Sequence, residues 1–447
     1  MININYLERR DKIKQLFGND FYQRYPLSSK ILDRYTRSRI HYGERETKNM
    51  ALEYQHDKGL IGLIKSLTYF LLHLLNLSVF RRSNQEKILA SYSIFIRFEI
   101  FAERMKDKYN VFTVLNKKTV THALKSGARK TINTDKFSYN KNLQRLLSET
   151  VEFISKFIDS NGLDKGALFQ KLDILENILN QEITKLSKIF KDKKIKLYVT
   201  AFDQVYDDIF NILACQKAGI RTKCIAHAFL PGGIEYEPKT NCLPVFADKL
   251  YVWSQEDYDL LKGYEEMEKI EIGGYPKYTK EYIEKKKKQY PEKKIITFFS
   301  GYRISEEWMK IEKPIRKRLF SLFKEIAEKQ GYEIYIRYQN KEEPKIREHE
   351  KELLKKCHIK VSRNPFIKDI LQSEITLAFD TSCLYEAKIL GKKAYTLFTH
   401  TEYDKIFFMK NIEYIDVDDI KKKIEEKTNL DVRYDLFLDL DSVINSS

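Results

Sequence analysis

A chain of 447 residues is long for one hydrophobic core, so two domains are the default; at 43% hydrophobic and 13% aromatic residues it reads as globular, with little low complexity. Lys and Arg number 80 against 64 Asp and Glu, a formal net charge of +16 that suits nucleotide phosphates, an anionic membrane surface or nucleic acid without choosing among them. Five cysteines (Cys215, Cys224, Cys242, Cys357, Cys383), odd in number and without CxxC spacing, give neither a zinc site nor a disulfide framework. They fit a reducing cytoplasm, and the charged N-terminus from Glu8 onward predicts no signal peptide.

Residues 1–86 are expected to form a helical extension. Tyr and Arg recur in its first half (Tyr22, Arg24, Tyr25, Arg34, Tyr35, Arg37, Arg39). Basic patches with aromatics can bind RNA, but no RNA-binding motif follows, and the stretch is read as a solvated face. Leu60–Phe80 is the most apolar window, followed by Arg81-Arg82. On a helical wheel Lys65, Ser66, Thr68, His73 and Asn76 share one side, which favours a buried or partner-facing helix over an interfacial membrane helix, and either over a span.

From residue 87 strands alternate with helices, the mark of βαβ units and a parallel sheet. Strands are expected at Ile88–Tyr92, Val111–Leu115, Thr131–Thr134, Ile195–Thr200, Thr222–Ala226, Lys249–Trp253 and Lys269–Ile272. Two long amphipathic helices broken at Asn161-Gly162 read as a helical hairpin inserted over 141–190. Gly273-Gly274-Tyr275-Pro276 follows the last of these strands, and the run Lys285–Lys288 with Pro291 reads as the end of a first domain, 87–290. A second α/β domain, 291–430, has strands at Ile295–Phe299, Glu333–Arg337, Ile359–Val361, Ile375–Phe379, Ala394–Phe398 and Ile412–Val417, with a helix starting at Pro314. The tail, 431–447, is expected to cross back to the first domain.

The sharpest functional stretch is Ser373–Phe398, strand, tight loop, helix, strand. Asp380, Thr381 and Ser382 place a carboxylate and two hydroxyls between strand and helix, where hydroxyls, free backbone N–H groups and the helix dipole can hold phosphate. Glu386, one turn into the helix, can reach a ribose. In open parallel sheets ligands gather outside the carboxyl ends of strands, so four tips are expected to converge: Ser300-Gly301, Arg337–Asn340, Ser362–Asn364 and Asp380–Ser382. In the first domain His227 follows a strand and precedes a loop containing Gly232-Gly233; a histidine there can act as general base, and Asp203 is a second candidate. The blander reading is a helix cap for Asp203 and a packed histidine for His227. Glu99 and Glu103 are read as solvated or paired. Asp416-Val417-Asp418 and Asp439-Leu440-Asp441 look like divalent-metal pairs, but helix starts explain the first, and no metal is assigned. GxxxxGK[ST], HExxH and GxSxG motifs are absent, against P-loop, zincin and α/β-hydrolase families.

Three stretches carry a family resemblance: CIAHAFLPGG, ADKLYVWSQEDYDLL…KIEIGGYPKY and LAFDTSCLYEAKILGKKAYTL. Within 224–397 the chain resembles GT-B glycosyltransferases of the capsule and teichoic-acid kind, such as polysialyltransferases, Kdo transferases and CDP-glycerol transferases. The resemblance implies an α/β fold of two Rossmann-like domains facing a cleft, with the helical extension and hairpin insertion added. It implies His227 on the acceptor side, Ser300, Thr381 and Ser382 on donor phosphates, and Glu386 on the ribose. Two departures stand out. Gln339 and Asn340 occupy the place of the His-Pro motif of sialyl and Kdo transferases, which weighs against a CMP-sugar. Ala378 stands where retaining enzymes carry the partner of Glu386, which leans toward inversion.

The expected function is therefore transfer of a sugar from a nucleotide-sugar donor, UDP or CMP type undecided, to a bacterial surface polysaccharide or lipid-linked acceptor. The scheme is inverting and metal-independent, without a cofactor or nucleic acid, in the cytoplasm with a possible inner-leaflet contact through 60–82. Rival readings are a polyol-phosphate transferase using a CDP-alcohol, a UDP-sugar 2-epimerase, and a basic scaffold without enzymatic activity.

Overall fold

The computed structural model describes residues 21–29, 86–91, 93–94, 98–115, 131–133, 149–150, 165–201, 206–226, 245–262, 267–300, 306–338, 343–379, 381–400, 412–426 and 430–445. The expected helix over 60–80 and its basic flank lie outside these residues, as do Asp203, His227, Gly232, Gly233, Gly301, Asn340 and Asp380.

Two parallel sheets organise the chain. The first holds β1 (Lys87–Ala90), β2 (Asn110–Leu115), β3 (Thr131–Asn133), β4 (Ile195–Thr200), β5 (Arg221–Ile225), β6 (Lys249–Val252) and β7 (Ile270–Ile272), in the spatial order β3-β2-β1-β4-β5-β6-β7. The second holds β8 (Ile295–Phe299), β9 (Glu333–Arg337), β10 (Lys360–Val361), β11 (Ile375–Ala378), β12 (Lys393–Leu397) and β13 (Glu413–Ile415), in the order β10-β9-β8-β11-β12-β13. Both orders reverse beside their own first strand, after β1 in one sheet and after β8 in the other. This is the doubly wound Rossmann order, and the reversal opens a crevice at the strands' carboxyl ends. The strands read as apolar runs because helices cover both faces: all five residues of β8 and of β12 are buried.

The N-terminal segment contributes α1 (Phe21–Arg24). Its surroundings correct the solvated reading for Tyr25, while Arg24 stays exposed: Phe21 and Tyr25 are buried, Tyr25 donates to Asp173 at 2.9 Å, and the Ser28 hydroxyl donates to Glu176 at 2.6 Å. Burial, then the Asp173 carboxylate, pushes the Tyr25 phenol up to about 12. After α2 (Glu99–Lys108), the 28-residue α3 (Lys165–Asp192) makes the crossover from β3 to β4. Leu168, Leu172, Leu175, Leu179, Ile183, Leu186 and Phe190, spaced three or four apart, are all buried in the first core. The later helix of the expected 141–190 insertion thus belongs to the domain's own scaffold, and it packs beside α4 (Tyr206–Lys217).

α5 (Gln255–Leu261) is capped by Ser254, which accepts from the Asp257 amide at 3.2 Å. The lysine run expected to end the first domain is itself helical: α6 (Lys280–Gln289) is capped by Thr279, whose hydroxyl accepts from the Tyr282 amide at 3.2 Å. In the second domain α7 (Glu306–Gln330) starts before Pro314, which lies inside it. Proline there removes one helical hydrogen bond; burial of Leu319, Phe320, Phe323 and Ile326 anchors the turns that follow. Then come α8 (Glu343–Lys356), α9 (Phe366–Gln372), α10 (Ser382–Ile389) and α11 (Ile420–Glu425). The short α9 was not expected from the sequence.

The tail crosses back. The Arg433 amide donates to the Ile389 carbonyl at 2.8 Å in the second domain. The tail then pairs with the segment after β7, Tyr275 N to Leu436 O at 2.6 Å and Leu438 N to Tyr275 O at 2.9 Å. Finally α12 (Leu440–Asn445) lays Val443 and Ile444 into the first domain's core. Two glycines make room for this path. Gly391 has φ +75° and Gly274 φ +95°; a Cβ on either would stand 2.7 Å from the carbonyl oxygen of Leu430 or Leu436 respectively. Gly274→Ala is expected to lower stability by about 1–3 kcal/mol, the cost of a left-handed non-glycine residue, and to expose the tail to limited proteolysis. Unchanged urea midpoint and cleavage pattern would show that the tail does not pack there.

Candidate functional site

The carboxyl edges of the two sheets meet at residues that follow β6, β7 and β11. Trp253, directly after β6, is buried and donates its indole N–H to the Ala226 carbonyl at 2.6 Å. It meets Tyr275 edge-on, with ring centroids 5.2 Å apart, and Tyr385 of α10 at 6.4 Å. Tyr275 also touches Tyr278 and Phe437 edge to face. This aromatic wedge is first-domain and tail material on one side and α10 on the other, and the buried core runs through it without a break.

At its centre lies Glu386. Its side chain is 1% exposed. One carboxylate oxygen accepts from the Tyr275 phenol at 2.7 Å, and the other is paired with the Lys277 ammonium. A buried carboxylate needs such partners to stay charged. The cost falls on its neighbours: burial first, then the Glu386 charge, holds the Tyr275 phenol well above its ordinary range and pushes the Cys383 thiol up to about 11.

Thr381 caps α10, its hydroxyl accepting from the Cys383 amide at 3.3 Å, and Ser382 opens the helix. The two hydroxyls expected from sequence are therefore at a helix start beside the second sheet's order reversal. Arg337, at the end of β9, donates one guanidinium nitrogen to the Asn364 carbonyl and to Asp369, both at 2.7 Å. Asp369 on α9 also accepts from Ser362 at 2.7 Å and from the Asn364 side chain at 3.0 Å. A residue of the unforeseen helix thus ties two of the four expected tips together. Ser300, at the tip of β8, is buried, and its hydroxyl accepts from Arg316 at 3.1 Å. β10, β9, β8 and β11 are consecutive neighbours, so all four tips lie along one edge.

Two cations converge on Phe366. The Lys277 ammonium lies 5.5 Å from its ring centroid and the Arg337 guanidinium carbon 5.6 Å. Lys277 also reaches α10 through its ion pair with Glu386. Lys277 was not singled out from sequence. Its signal was positional: a cation three residues past the glycine pair that follows β7.

In the first domain the order reversal is lined by buried hydroxyls. Ser93 meets Ser91 at 3.0 Å and Thr200 at 3.3 Å, and it accepts from the Ala201 amide at 3.1 Å. Asp208 accepts from Tyr198 at 2.5 Å and Thr200 at 3.1 Å. This network also escaped the sequence reading. Both acidic pairs have structural employment: Asp416 is paired with His400 and Asp418 with Arg318, while Asp439 accepts from the Ser442 amide at 3.3 Å and Asp441 pairs with Lys108 at 2.6 Å. Glu103 pairs with Lys106 at 2.9 Å. Among the described residues no group of His, Cys, Asp and Glu could hold a metal ion, and no helix is long and apolar enough to cross a membrane.

Two Rossmann-order domains, joined after Gly-Gly-Tyr-Pro and meeting at their strands' carboxyl edges, constitute the GT-B type of fold. Solved structures with similar chain paths include a glycosyltransferase from Rickettsia africae (13% identity, TM-score 0.43, covering 77% of this chain and 88% of that one). A UDP-GlcNAc 2-epimerase from Methanocaldococcus jannaschii is similar at 14% identity and TM-score 0.44, covering 78% and 95%, and the wall teichoic acid polymerase TagF at 12% and 0.39, covering 88% and 89%. No family model and no curated protein matches the sequence.

Proposed function

We propose that the protein is a nucleotide-sugar-dependent glycosyltransferase whose donor lies on the second domain at the seam. The observation that carries this is the convergence of Arg337 and Lys277 on Phe366, with Lys277 also paired to Glu386 on the helix that Thr381 and Ser382 open beside the order reversal between β8 and β11. Cations, hydroxyls and the positive end of a helix suit a diphosphate, and Glu386 suits a ribose. In the proposed reaction His227 or Asp203 takes the proton of an acceptor hydroxyl, which attacks the anomeric carbon and displaces the nucleotide in line. Arg337 and the helix start stabilise the charge of the leaving diphosphate, so the scheme runs without a metal. The acceptor in this reading is a bacterial surface polysaccharide or lipid-linked glycan. Residues 60–82 would bring the chain to anionic inner-leaflet lipid, and salt-sensitive co-sedimentation with anionic vesicles checks that part.

A thermal-shift screen with UDP, CMP, CDP and GDP tests the central claim. One nucleotide is expected to raise Tm. In Thr381→Ala/Ser382→Ala, titration calorimetry should show weaker binding, each hydrogen bond to a charged phosphate being worth about 1.5–3 kcal/mol. A response to none of the four would sink the enzyme reading. Epimerised sugar from a UDP-sugar alone would replace it with a 2-epimerase, and activity lost to EDTA and restored by magnesium would overturn the metal-independent scheme.

A further inference from the structure

Glu386 has both carboxylate oxygens occupied and almost no exposure, so nothing can reach it unless a partner leaves. Its two partners differ. Tyr275 is 0% exposed and held by Trp253, Tyr278 and Phe437 in edge contacts, while its backbone is pinned by the tail on both sides. It has nowhere to go. The Lys277 side chain is 24% exposed, and its head sits over the rings of Phe366 at 5.5 Å and Trp253 at 5.9 Å. Aromatic faces give a cation a surface to slide along without large loss, and a lysine stem has the rotamers to do so. The face of Phe366 leads to Arg337. Lys277 is carried by the segment after β7, whereas Arg337, Phe366 and Glu386 belong to the second domain.

We propose that Lys277 is an interdomain phosphate ligand that exchanges partners on donor binding: it leaves Glu386 for the diphosphate held at Arg337 and Thr381, and the carboxylate so released accepts the ribose hydroxyls. This rests on the donor site proposed above and adds a residue and an order of events to it. Glu386 cannot take a ribose while Lys277 holds it, and Lys277 has no reason to leave unless an anion arrives. The site therefore recognises phosphate and ribose together and answers weakly to a nucleoside alone. The Lys277–Glu386 ion pair acts as a placeholder that keeps the buried carboxylate satisfied until an anion arrives.

The experiment is calorimetric titration of the full chain with the nucleoside diphosphate found by the thermal-shift screen, and with the corresponding nucleoside. The wild-type protein should bind the diphosphate far more tightly than the nucleoside. Lys277→Met should weaken the diphosphate about ten- to a hundred-fold, as loss of a charge-assisted contact does, leave the nucleoside no weaker, and flatten the salt dependence of diphosphate binding. Lys277→Arg should recover part of the loss. Because Lys277→Met leaves a buried carboxylate short of a partner, Lys277→Met/Glu386→Gln serves as the second variant: it removes both charges, is expected to keep the wild-type circular dichroism, and should still bind diphosphate weakly. Diphosphate affinity and salt slope equal to wild type in either folded variant overturn the role of Lys277 alone, leaving the donor site standing. Absence of nucleotide binding in the wild type overturns both.

Discussion

His227→Ala is expected to lower turnover about a hundred- to ten-thousand-fold, the usual share of a general base, with donor affinity nearly unchanged. The argument starts from where the chain leaves β5. The Ala226 amide donates to the Tyr251 carbonyl at 2.8 Å, and the Ala226 carbonyl accepts from the Trp253 indole at 2.6 Å. Residue 226 is thus held by Tyr251 through its amide and, through its carbonyl, by the tryptophan that meets Tyr275 and Tyr385. Ala226 therefore lies at the seam on the first-domain side, and His227 is the next residue in the sequence. The groups assigned to the donor come from β9, α10 and the segment after β7, so removing an imidazole that follows β5 in sequence should spare them. A neutral imidazole is the active form of the base, so rate should fall as pH drops through its pKa, and the alanine variant should lose that limb of the profile. Initial rates across pH, with donor affinity from calorimetry, decide the matter. Near-normal turnover would move the base to Asp203, which follows β4, the neighbour of β5.

Much of this architecture was legible because parallel strands buried on both faces announce themselves. Ile195–Thr200, Ile295–Phe299 and Glu333–Arg337 have the expected bounds, and most other described strands shift by a residue or two at an end. Strand order was not legible, since it depends on pairing between segments far apart in sequence. Short amphipathic helices were missed for a different reason. Phe366–Gln372 spans seven residues, too few for a 3.6-residue period to stand out, and in Lys280–Gln289 the lysines outweigh the single buried Ile283. The site shows the same division. Thr381 and Ser382 were visible because a hydroxyl pair between strand and helix is a local pattern. Lys277 and Asp369 were not, because their meaning arises from partners 109 and 32 positions away. Glu386 was foreseen as a chemical group, but its burial under Tyr275 and Lys277 is a property of how the two domains meet.

Arg316→Met should destabilise the second domain by about 3–5 kcal/mol, the range for breaking a buried ion pair from one side. Arg316 is buried on α7 and reaches Glu350 of α8 through two parallel bonds of 2.6 and 2.8 Å. It also donates to Glu312 at 3.3 Å and to the Ser300 hydroxyl at 3.1 Å, with its guanidinium carbon 5.3 Å from the Phe298 ring centroid. Glu350 in turn accepts from Tyr338 at 2.5 Å. One cation therefore serves two carboxylates and the tip of β8, and methionine, which fills much of the same space, would leave both carboxylates without it. Lysine should not rescue, because a point charge cannot reproduce the bidentate fork. Arg316→Met/Glu350→Leu should recover most of the stability lost by the single variant, since removing both partners leaves less unpaired charge in the interior. The Arg316→Met domain should also bind the donor nucleotide more weakly at temperatures where it remains folded, because Ser300 loses the partner that fixes its hydroxyl beside the order reversal. Urea denaturation gives the first number and calorimetry the second. A loss below about 1 kcal/mol, the scale of a surface pair, would mean that water already satisfies Glu350 and Glu312, and that Arg316 does not organise this edge of the sheet.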